Sequence, residues 1–294
     1  MIQVLIPYYG DPALLRLAVQ SVLDQESPDW SLVVVDNHYP DTEPGRWVQA
    51  LKDPRVSYLR NQSNLGVSGN LRRCLELVTE EHFVIMGADD LMQRGYVSTV
   101  LHALREHPHA TMVQPRVQVI DEDDAPIRPL GDRIKTFLAP SANSVHVLRG
   151  EPLAASLLRG NWLYFPAITW SRTAVAGRTF RRDMETVFDL DFLINLIIDG
   201  AVFVLLKDEA FSYRRHAASV SSATARDTAR FEEESRLFGE LVPRLRSMGW
   251  TSAARAARGH FTSRLHAVAL VPGALRAGDR AIARELLRHA MGTS

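Results

Sequence analysis

The chain has a single cysteine, Cys74, among its 294 residues. One cysteine excludes an internal disulfide and a cysteine-rich zinc site, and it fits a reducing compartment. No apolar run approaches the roughly 18 residues that a membrane-spanning helix needs, and the chain opens on an apolar segment rather than the basic segment of a secretory leader. We therefore expect a cytoplasmic protein with no spanning helix.

The chain also lacks any surplus of positive or negative charge. Lys+Arg and Asp+Glu both number 34, so no basic excess is present to hold a polyanion, and nucleic acid is excluded as a partner. Lysine is scarce, with only Lys52, Lys135 and Lys207 in the whole chain. Nearly all the basic residues are arginines, which suit fixed contacts with phosphate or carboxylate groups.

The most informative segment that is present is an apolar run that ends in two acids. Phe83 to Met86 are apolar, and Gly87, Ala88, Asp89 and Asp90 follow directly. Adjacent carboxylates at the end of a buried strand repel each other and gain nothing from burial, so a cation is their natural partner. The pattern predicts a divalent metal at Asp89 and Asp90, although an acidic loop that caps the next helix is the alternative.

Strands and helices alternate through the first part of the chain. Strands are predicted at Gln3–Pro7, Trp30–Asp36, Val56–Arg60 and at the stretch ending in Asp89, with helical segments between them. This alternation predicts a doubly wound parallel sheet with helices on both faces. Because ligands in such folds bind beyond the carboxyl ends of the strands, Asp36 and Asp89 are expected on the same rim.

The pattern changes after a predicted strand at Thr111–Ile120. Residues 121–145, which contain four consecutive acids and three prolines, are predicted to be a polar irregular loop, with the acidic run as a solvated turn. A strand is expected at Tyr164–Trp170, a helix at Phe188–Asp199 and another strand at Val202–Leu206, followed by an extended piece from Phe211 to His216. From about residue 226 the chain is helical and rich in arginine, with helices predicted at 226–247, 252–271 and 277–291.

In this order the motifs resemble those of family 2 glycosyltransferases of the GT-A fold, over about the first 220 residues. The landmarks that carry the resemblance are Ile6-Pro7-Tyr8-Tyr9, Ser21 with Gln25, Val35-Asp36-Asn37, Asn64 with Gly66 and Asn70, Gly87-Ala88-Asp89-Asp90, and Tyr213-Arg214-Arg215-His216 with Ser219 and Ser221. The resemblance implies a mixed α/β sheet with a nucleotide-sugar-binding half (1–120), an acceptor and catalytic half (121–225) and a helical C-terminal extension (226–294).

The resemblance also implies roles for residues of the first half. Pro7, Tyr9 and Asp36, with the loop that carries Asn64, Gly66 and Asn70, are expected to hold the nucleotide. Asp89 is expected to ligate Mg²⁺ or Mn²⁺ on the donor diphosphate, with Asp90 in support and His216 as a further candidate ligand. The sequence departs from the family at Gly87, where the first aspartate of the motif often stands.

In the second half, Asp189 corresponds to the catalytic base of the family, and Asp191 is the alternative base. Phe188 replaces the glutamate that usually precedes the base. A single base without a second nucleophile implies one displacement, with inversion at the anomeric carbon. The expected reaction is transfer of a sugar from a nucleotide-diphosphate sugar to a hydroxyl of a glycan, a lipid-linked acceptor or a small molecule.

Other interpretations of the same residues stay open at the level of sequence. Asp36 could end its strand through turn propensity, and Asp189 could favour a helix N-terminus. A catalytically silent sugar-nucleotide binder and a nucleotidyltransferase are the alternative functions. Trp162 and Tyr164 could stack an acceptor sugar or pack in the core. In the tail, Phe261, Leu265, Val268 and Leu270 could contact a membrane surface, form a homodimer or pack on the main domain.

Overall fold

The computed structural model describes residues 1–215 and 229–292, and within them nine strands form a single mixed sheet. The strands are β1 (Ile2–Tyr8), β2 (Trp30–Asp36), β3 (Val56–Arg60), β4 (His82–Ile85), β5 (Leu91–Met92), β6 (Met112–Ile120), β7 (His146–Arg149), β8 (Thr169–Ser171) and β9 (Val202–Arg214). The helices are α1 (Pro12–Leu23), α2 (Glu43–Ala50), α3 (Gly66–Glu76), α4 (Tyr96–Glu106), α5 (Leu130–Leu138), α6 (Gly150–Arg159), α7 (Arg172–Val175), α8 (Phe188–Ile198), α9 (Ala229–Ser247), α10 (Thr251–Gly259), α11 (Phe261–Arg276) and α12 (Arg280–Met291), with a 3₁₀ turn at Phe165–Ala167.

The strand order is β3-β2-β1-β4-β8-β6-β9-β5, and β7 pairs with β9. The first four strands are parallel, as their alternation with helices predicted. β8 is antiparallel to both of its neighbours, whereas β6 and β9 run parallel. The expected mixed α/β fold with a helical C-terminal part is confirmed, and β2 and β4 flank β1 so that their carboxyl ends share one rim.

Local sequence explains the elements that build this rim. In β2, the run Leu32 to Val35 is β-branched and apolar, and most of the strand is buried, as a strand covered on both faces requires. In α1, the side chain of Asp11 accepts a hydrogen bond from the amide of Ala13 at 2.8 Å, and Pro12 occupies the first turn. These signals fix where the strands end and the helices begin.

The two faces of the sheet bury two separate apolar clusters. Val4 and Ile6 of β1 point towards α1 and α4, whereas Leu5 points towards the cluster that contains residues of α6 and α8. This alternation is the period of two that a pleated strand imposes. The sheet is therefore a rigid support for the loops that leave its carboxyl edge.

The prediction of an irregular loop over residues 121–145 is wrong in part. The acidic run does form a turn, because Asp121 Oδ1 accepts the amides of Asp123 at 3.0 Å and Ala125 at 2.9 Å. After the turn, however, residues 130–138 form α5. Its apolar residues recur at helical spacing, but flanking prolines and polar neighbours obscured this periodicity.

Three boundaries in the second half also differ from the predictions. The strand predicted at Tyr164–Trp170 is a 3₁₀ turn followed by the short β8, and β9 is one long strand from Val202 to Arg214 rather than two pieces. In the tail, an extra break occurs at His260, whose φ is +26°, while Pro272 lies inside α11 instead of separating two helices.

No helix in the two described ranges combines the length and the apolar character that crossing a membrane requires. The proposed division of the chain at residues 120 and 225 stays a prediction.

Candidate active site

Asp36 lies where β2 ends, next to Tyr8 of β1 and Arg60 of β3 in the sheet register. Its side chain is 1% exposed. Oδ1 accepts the amide of Tyr39 at 2.7 Å, and Oδ2 accepts the Arg60 guanidinium at 3.1 Å and the hydroxyl of Tyr58. Burial, and then the hydrogen bond to Asp36, raise the pKa of Tyr58 to about 12. Asp36 is thus a fixed anchor for the rim.

An aromatic group lies directly beside this anchor. The ring of Tyr39 contacts Tyr8 at 5.1 Å and the edge of Tyr9 at 5.6 Å between centroids. Tyr9 is half exposed, and Pro7 is paired with Val35 in the strand register. An exposed aromatic ring on a fixed support is suited to stacking against a planar base.

The predicted loop residues Asn64, Gly66 and Asn70 are joined by an asparagine network. The Asn37 side-chain amide donates to Asn64 Oδ1 at 2.8 Å and to the Gly66 carbonyl at 3.1 Å, and Asn70 Nδ2 donates to the Val35 carbonyl at 3.0 Å. Gly66 has a φ of +70°, which favours glycine. These residues therefore fasten the start of α3 to the end of β2, a scaffolding role that spacing alone did not reveal.

The two acids that follow β4 meet beside Gly87. Asp90 is 1% exposed, and its Oδ1 accepts the amide of Arg214 at 2.9 Å. A Cβ added to Gly87 would lie 2.6 Å from Asp90 Oδ2 and 2.8 Å from Asp89 Oδ1, so both oxygens converge on the space beside this glycine. Burial and the nearby Asp89 carboxylate raise the pKa of Asp90 well above its ordinary value.

Arg214 holds this acidic loop in place. Its side chain is fully buried, and Nε donates to the Asp89 carbonyl at 2.7 Å while Nη1 donates to the Asp121 carbonyl at 2.7 Å. Its Nη2 forms an ion pair with Asp124 at 2.5 Å. Arg214 therefore joins the loop after β4 to the acidic turn after β6. The neighbouring candidate ligand His216 lies outside the described residues.

Asp189 and Asp191 occupy the first turn of α8 and point to different surroundings. Asp189 is half-buried and accepts the Asn161 side-chain amide at 3.4 Å. Burial raises the pKa of Asp189, and the positive charges of Lys135 and Arg230 oppose that rise. Asp191 instead lies 3.9 Å from the guanidinium of Arg181, in a separate cleft of about 440 Å³.

A cluster that the sequence did not reveal lies between Asp189 and the arginines at the end of β9. Asp132 of α5 is 4% exposed and accepts both Arg215 Nε at 3.1 Å and Nη2 at 3.0 Å, together with the Tyr164 hydroxyl at 2.9 Å. Lys135 Nζ donates to the Leu163 carbonyl at 2.9 Å and lies 4.3 Å from the centre of the Tyr164 ring.

Lys135 has a pKa that is unusually low for a lysine. Burial, followed by the charge of Arg215, lowers its pKa to about 8, and the carboxylates of Asp132 and Asp189 counteract part of this shift. The scarcity of lysine was the one feature of the sequence that set Lys135 apart from other residues. Trp162, by contrast, packs in the core, with its ring edge against Phe203 at 5.9 Å.

The donor set beside Gly87 fits a divalent cation. Magnesium and manganese take oxygen ligands, and one or two carboxylates commonly suffice when substrate oxygens and water complete the shell. The two converging carboxylates of Asp89 and Asp90 meet that requirement. Within the ranges 1–215 and 229–292, no group of three or more histidine, cysteine or acidic side chains is placed to hold a metal by itself.

Comparisons with known proteins agree with the motifs. Residues 3–164 match glycosyl transferase family 2. A Mycobacterium tuberculosis relative, "Uncharacterized protein MT1568", is 25% identical over 78% of this chain and 72% of the relative. The Escherichia coli protein "Putative colanic acid biosynthesis glycosyl transferase WcaA" is 31% identical over 31% of this chain and 32% of its own length.

A Campylobacter jejuni relative, "GalNAc(5)-diNAcBac-PP-undecaprenol beta-1,3-glucosyltransferase", is 28% identical over 36% of this chain and 35% of its own length. Among solved structures, S. aureus TarS 1-349 in complex with UDP-GlcNAc superimposes with a TM-score of 0.63 at 12% identity, over 99% of this chain and 92% of that one. At that identity the likeness establishes the GT-A fold alone. The family match over more than half of the sequence goes further, and the chain therefore belongs to glycosyl transferase family 2 and is a glycosyltransferase.

Proposed function

We propose that this chain transfers a sugar, with inversion, from a nucleotide-diphosphate sugar to an acceptor hydroxyl, with help from Mg²⁺ or Mn²⁺. The observation that carries the proposal is the convergence of Asp89 Oδ1 and Asp90 Oδ2 beside Gly87. Those oxygens follow β4, two strands from Asp36 at the end of β2, with β1 between them. This rim is where ligands bind in folds of this kind.

The nucleotide is bound, in this proposal, at the end of β1 and β2. Tyr9 offers an exposed ring to the base, supported by Tyr39, and the position of Tyr39 is fixed because its amide donates to Asp36. Both carboxylate oxygens of Asp36 already accept protein donors, so Asp36 retains little capacity to accept a bond from the ribose. The asparagine network of Asn64, Gly66 and Asn70 keeps the adjacent loop in place.

Asp89 and Asp90 would hold the cation. When bound, a divalent metal acts as a Lewis acid that stabilises the negative charge on the departing diphosphate. Asp89 is the half-exposed member of the pair and Asp90 the buried one, so Asp89 is the direct ligand in this proposal and Asp90 supports it. Arg214 keeps both in position through the Asp89 carbonyl and the Asp90 carboxylate.

Asp189 takes the proton from the acceptor hydroxyl. As the hydroxyl oxygen forms its bond to the anomeric carbon, its proton moves to the Asp189 carboxylate, and the nucleoside diphosphate leaves with the electron pair of the broken bond. A pKa raised by burial makes Asp189 a stronger base than an ordinary aspartate. Asp191 faces the cleft beside Arg181 instead, which supports Asp189 as the single base and a single displacement.

Uridine diphosphate is the first nucleotide to test, because the structural neighbour TarS was crystallised with UDP-GlcNAc and with UDP. The C. jejuni relative, whose name specifies a lipid-linked acceptor, makes a lipid-linked hydroxyl one acceptor class to screen beside glycans and small molecules. A cytoplasmic location is part of the proposal and is supported by the lone, buried thiol of Cys74.

Calorimetric titration tests the proposal. UDP, GDP and dTDP are titrated with and without Mn²⁺ into the unmodified chain, into Asp89→Asn and into Asp208→Asn, which alters an exposed acid in the middle of β9. We expect metal-enhanced binding of one nucleotide in the unmodified chain and the control, and loss of the enhancement in Asp89→Asn. Absence of metal-enhanced binding for all three nucleotides contradicts the metal part of the proposal.

A further inference from the structure

Helix α11 exposes an apolar stripe on the surface of the C-terminal helices. Phe261, Leu265, Val268 and Leu275 are between 51% and 66% exposed. With Pro272 they follow the spacing i, i+4, i+7, i+11 and i+14, which confines all five to an arc of about 80° around the helix. A continuous stripe of this kind differs from the scattered apolar residues of an ordinary surface.

The opposite side of α11 packs on the protein through apolar contacts and through Ser263, which hydrogen-bonds to Glu234 and His289. Ala267 is fully buried there, in a cluster with Phe231 and Leu286, and Leu270 and Val271 pack against that cluster. Because α11 packs on the protein with one face only, its exposed stripe is suited to contact with another apolar environment.

A second apolar stripe lies on α5. Leu130, Ile134 and Phe137 are exposed at spacing i, i+4 and i+7, and Phe137 reaches 87%. The two helices meet at Gly160, where an added Cβ would touch both Leu138, the last residue of α5, and Thr262 in the first turn of α11. The exposed Phe137 and Phe261 are sequence neighbours of these two contact residues, so both stripes belong to helices that meet at Gly160.

The surroundings of the α11 stripe are strongly basic. Residues 251–292 contain seven arginines and two acids, although the whole chain is formally neutral. On α12, Arg280 and Arg284 share an exposed helical face with Leu287 and Met291, and Arg276 is exposed at the end of α11. An apolar stripe beside exposed arginines is the pattern of a helix that lies in the plane of an anionic membrane surface.

We propose that the face formed by α5, α11 and α12 docks on an anionic lipid bilayer. The apolar stripes enter the boundary between headgroups and acyl chains, and the arginines contact lipid phosphates. A second copy of the chain fits this face less well, because self-association would bring one set of arginines against another. The exposed side chains of this face are not among the residues assigned to the reaction, and the proposal does not depend on those assignments.

Vesicle flotation tests the proposal on the full chain. Vesicles of phosphatidylcholine alone are compared with vesicles that also contain phosphatidylglycerol, at low and high salt. We expect flotation with the anionic vesicles, reduced by salt, because the interaction between exposed charges is screened. Flotation that is absent, or equal for neutral and anionic vesicles, overturns the proposal.

Two variants separate the apolar and the charged contributions. Phe261→Ser with Leu265→Ser, and Arg276→Gln with Arg280→Gln and Arg284→Gln, should each lower partitioning by about tenfold or more. The matched controls, Leu17→Ser with Leu59→Ser and Arg46→Gln with Arg94→Gln and Arg105→Gln, alter exposed residues elsewhere and should float as the unmodified chain does.

Light scattering on the same samples tests whether a second copy of the chain, instead of a lipid bilayer, covers this face. We expect a monomer whose mass is unchanged by Phe261→Ser with Leu265→Ser. A dimer that this variant dissociates would assign the face to self-association and overturn the proposal. Unchanged melting temperatures in the variants are expected, because all the altered side chains are exposed, and circular dichroism checks that loss of flotation is not loss of folding.

Discussion

Restoring the aspartate that the family often carries at position 87 should harm this protein rather than improve it. Gly87 does not have a positive φ, so its backbone accepts an ordinary residue. The obstacle is space, because an added Cβ would lie 2.6 Å from Asp90 Oδ2 and 2.8 Å from Asp89 Oδ1, closer than such contacts occur in practice. Either carboxylate would have to move to accommodate the new side chain.

The two acids differ in how easily they can move. Asp89 is half-exposed, so part of its side chain borders solvent instead of packed atoms. Asp90 is buried, and moving its carboxylate disturbs the hydrogen bond that Oδ1 accepts from the Arg214 amide. Overpacking of this kind typically costs about 1–3 kcal/mol, and each kcal/mol lowers Tm by roughly 2–4 °C in a domain of this order of size.

The assay combines thermal melting with calorimetry of the nucleotide that the unmodified chain binds, in the presence of Mn²⁺. Gly87→Ala should lower both Tm and metal-dependent affinity, and Gly87→Asp should lower both further, since it adds a third carboxylate beside the buried Asp90 and the half-exposed Asp89. Gly95→Ala is the control, because its Cβ would meet only Thr99 Oγ1 at 3.8 Å and Ser98 Oγ at 3.9 Å. Gly87→Asp with unchanged Tm and equal or tighter metal-dependent binding would refute the reasoning.

Three further outcomes are expected. Asp189→Asn should lower kcat by about 10²- to 10⁴-fold with nucleotide binding intact, whereas Asp191→Asn should not; equal losses in steady-state assays would count against the assignment. Lys135→Met removes a positive charge that lowers the pKa of Asp189, so the acid limb of the pH–rate profile should move to higher pH, and Lys135→Arg should leave it in place. Arg214→Met leaves the partly buried Asp89 and Asp121 carbonyls without their donor and should cost up to about 2–6 kcal/mol in urea unfolding, at up to about 1–3 kcal/mol for each. Arg16→Met, which breaks an exposed pair, should cost less than about 1 kcal/mol.

The sequence predicts the rim of the sheet well because the rim depends on local signals. The β-branched run that ends at Asp36 and the apolar run that ends at Asp89 and Asp90 each encode a buried strand and its polar end. Parallel pairing then brings the two ends together without any knowledge of contacts between distant residues. Helix α5 was missed because prolines and a run of acids precede it, although its apolar residues have helical spacing.

The cluster around Lys135 could not be predicted, because nothing local to any of its members marks it. Asp132 is hydrogen-bonded to Tyr164 and Arg215, which are separated from it by 32 and 83 positions in the sequence. The lowered pKa of Lys135 likewise arises from burial that the three-dimensional fold creates. The break between α10 and α11 at His260 could not be predicted either. The residue with positive φ there is neither a glycine nor a proline, so no local signal marks it.

The end of β9 connects the two sides of the candidate site. Arg214 is the last residue of β9 and Arg215 follows it directly, and their side chains bind different partners. Arg214 binds the loop that carries Asp89 and Asp90, whereas Arg215 binds Asp132, the neighbour of Lys135. A shift at the end of this strand would therefore reach the acids proposed to hold the donor and, through Asp132, the surroundings of Lys135, whose charge opposes the rise in the pKa of the proposed base. Holding donor and acceptor in position is the largest contribution available to the rate of such a transfer. A single strand that orders both sides of the site is therefore a physical reason for burying Arg214 at its end.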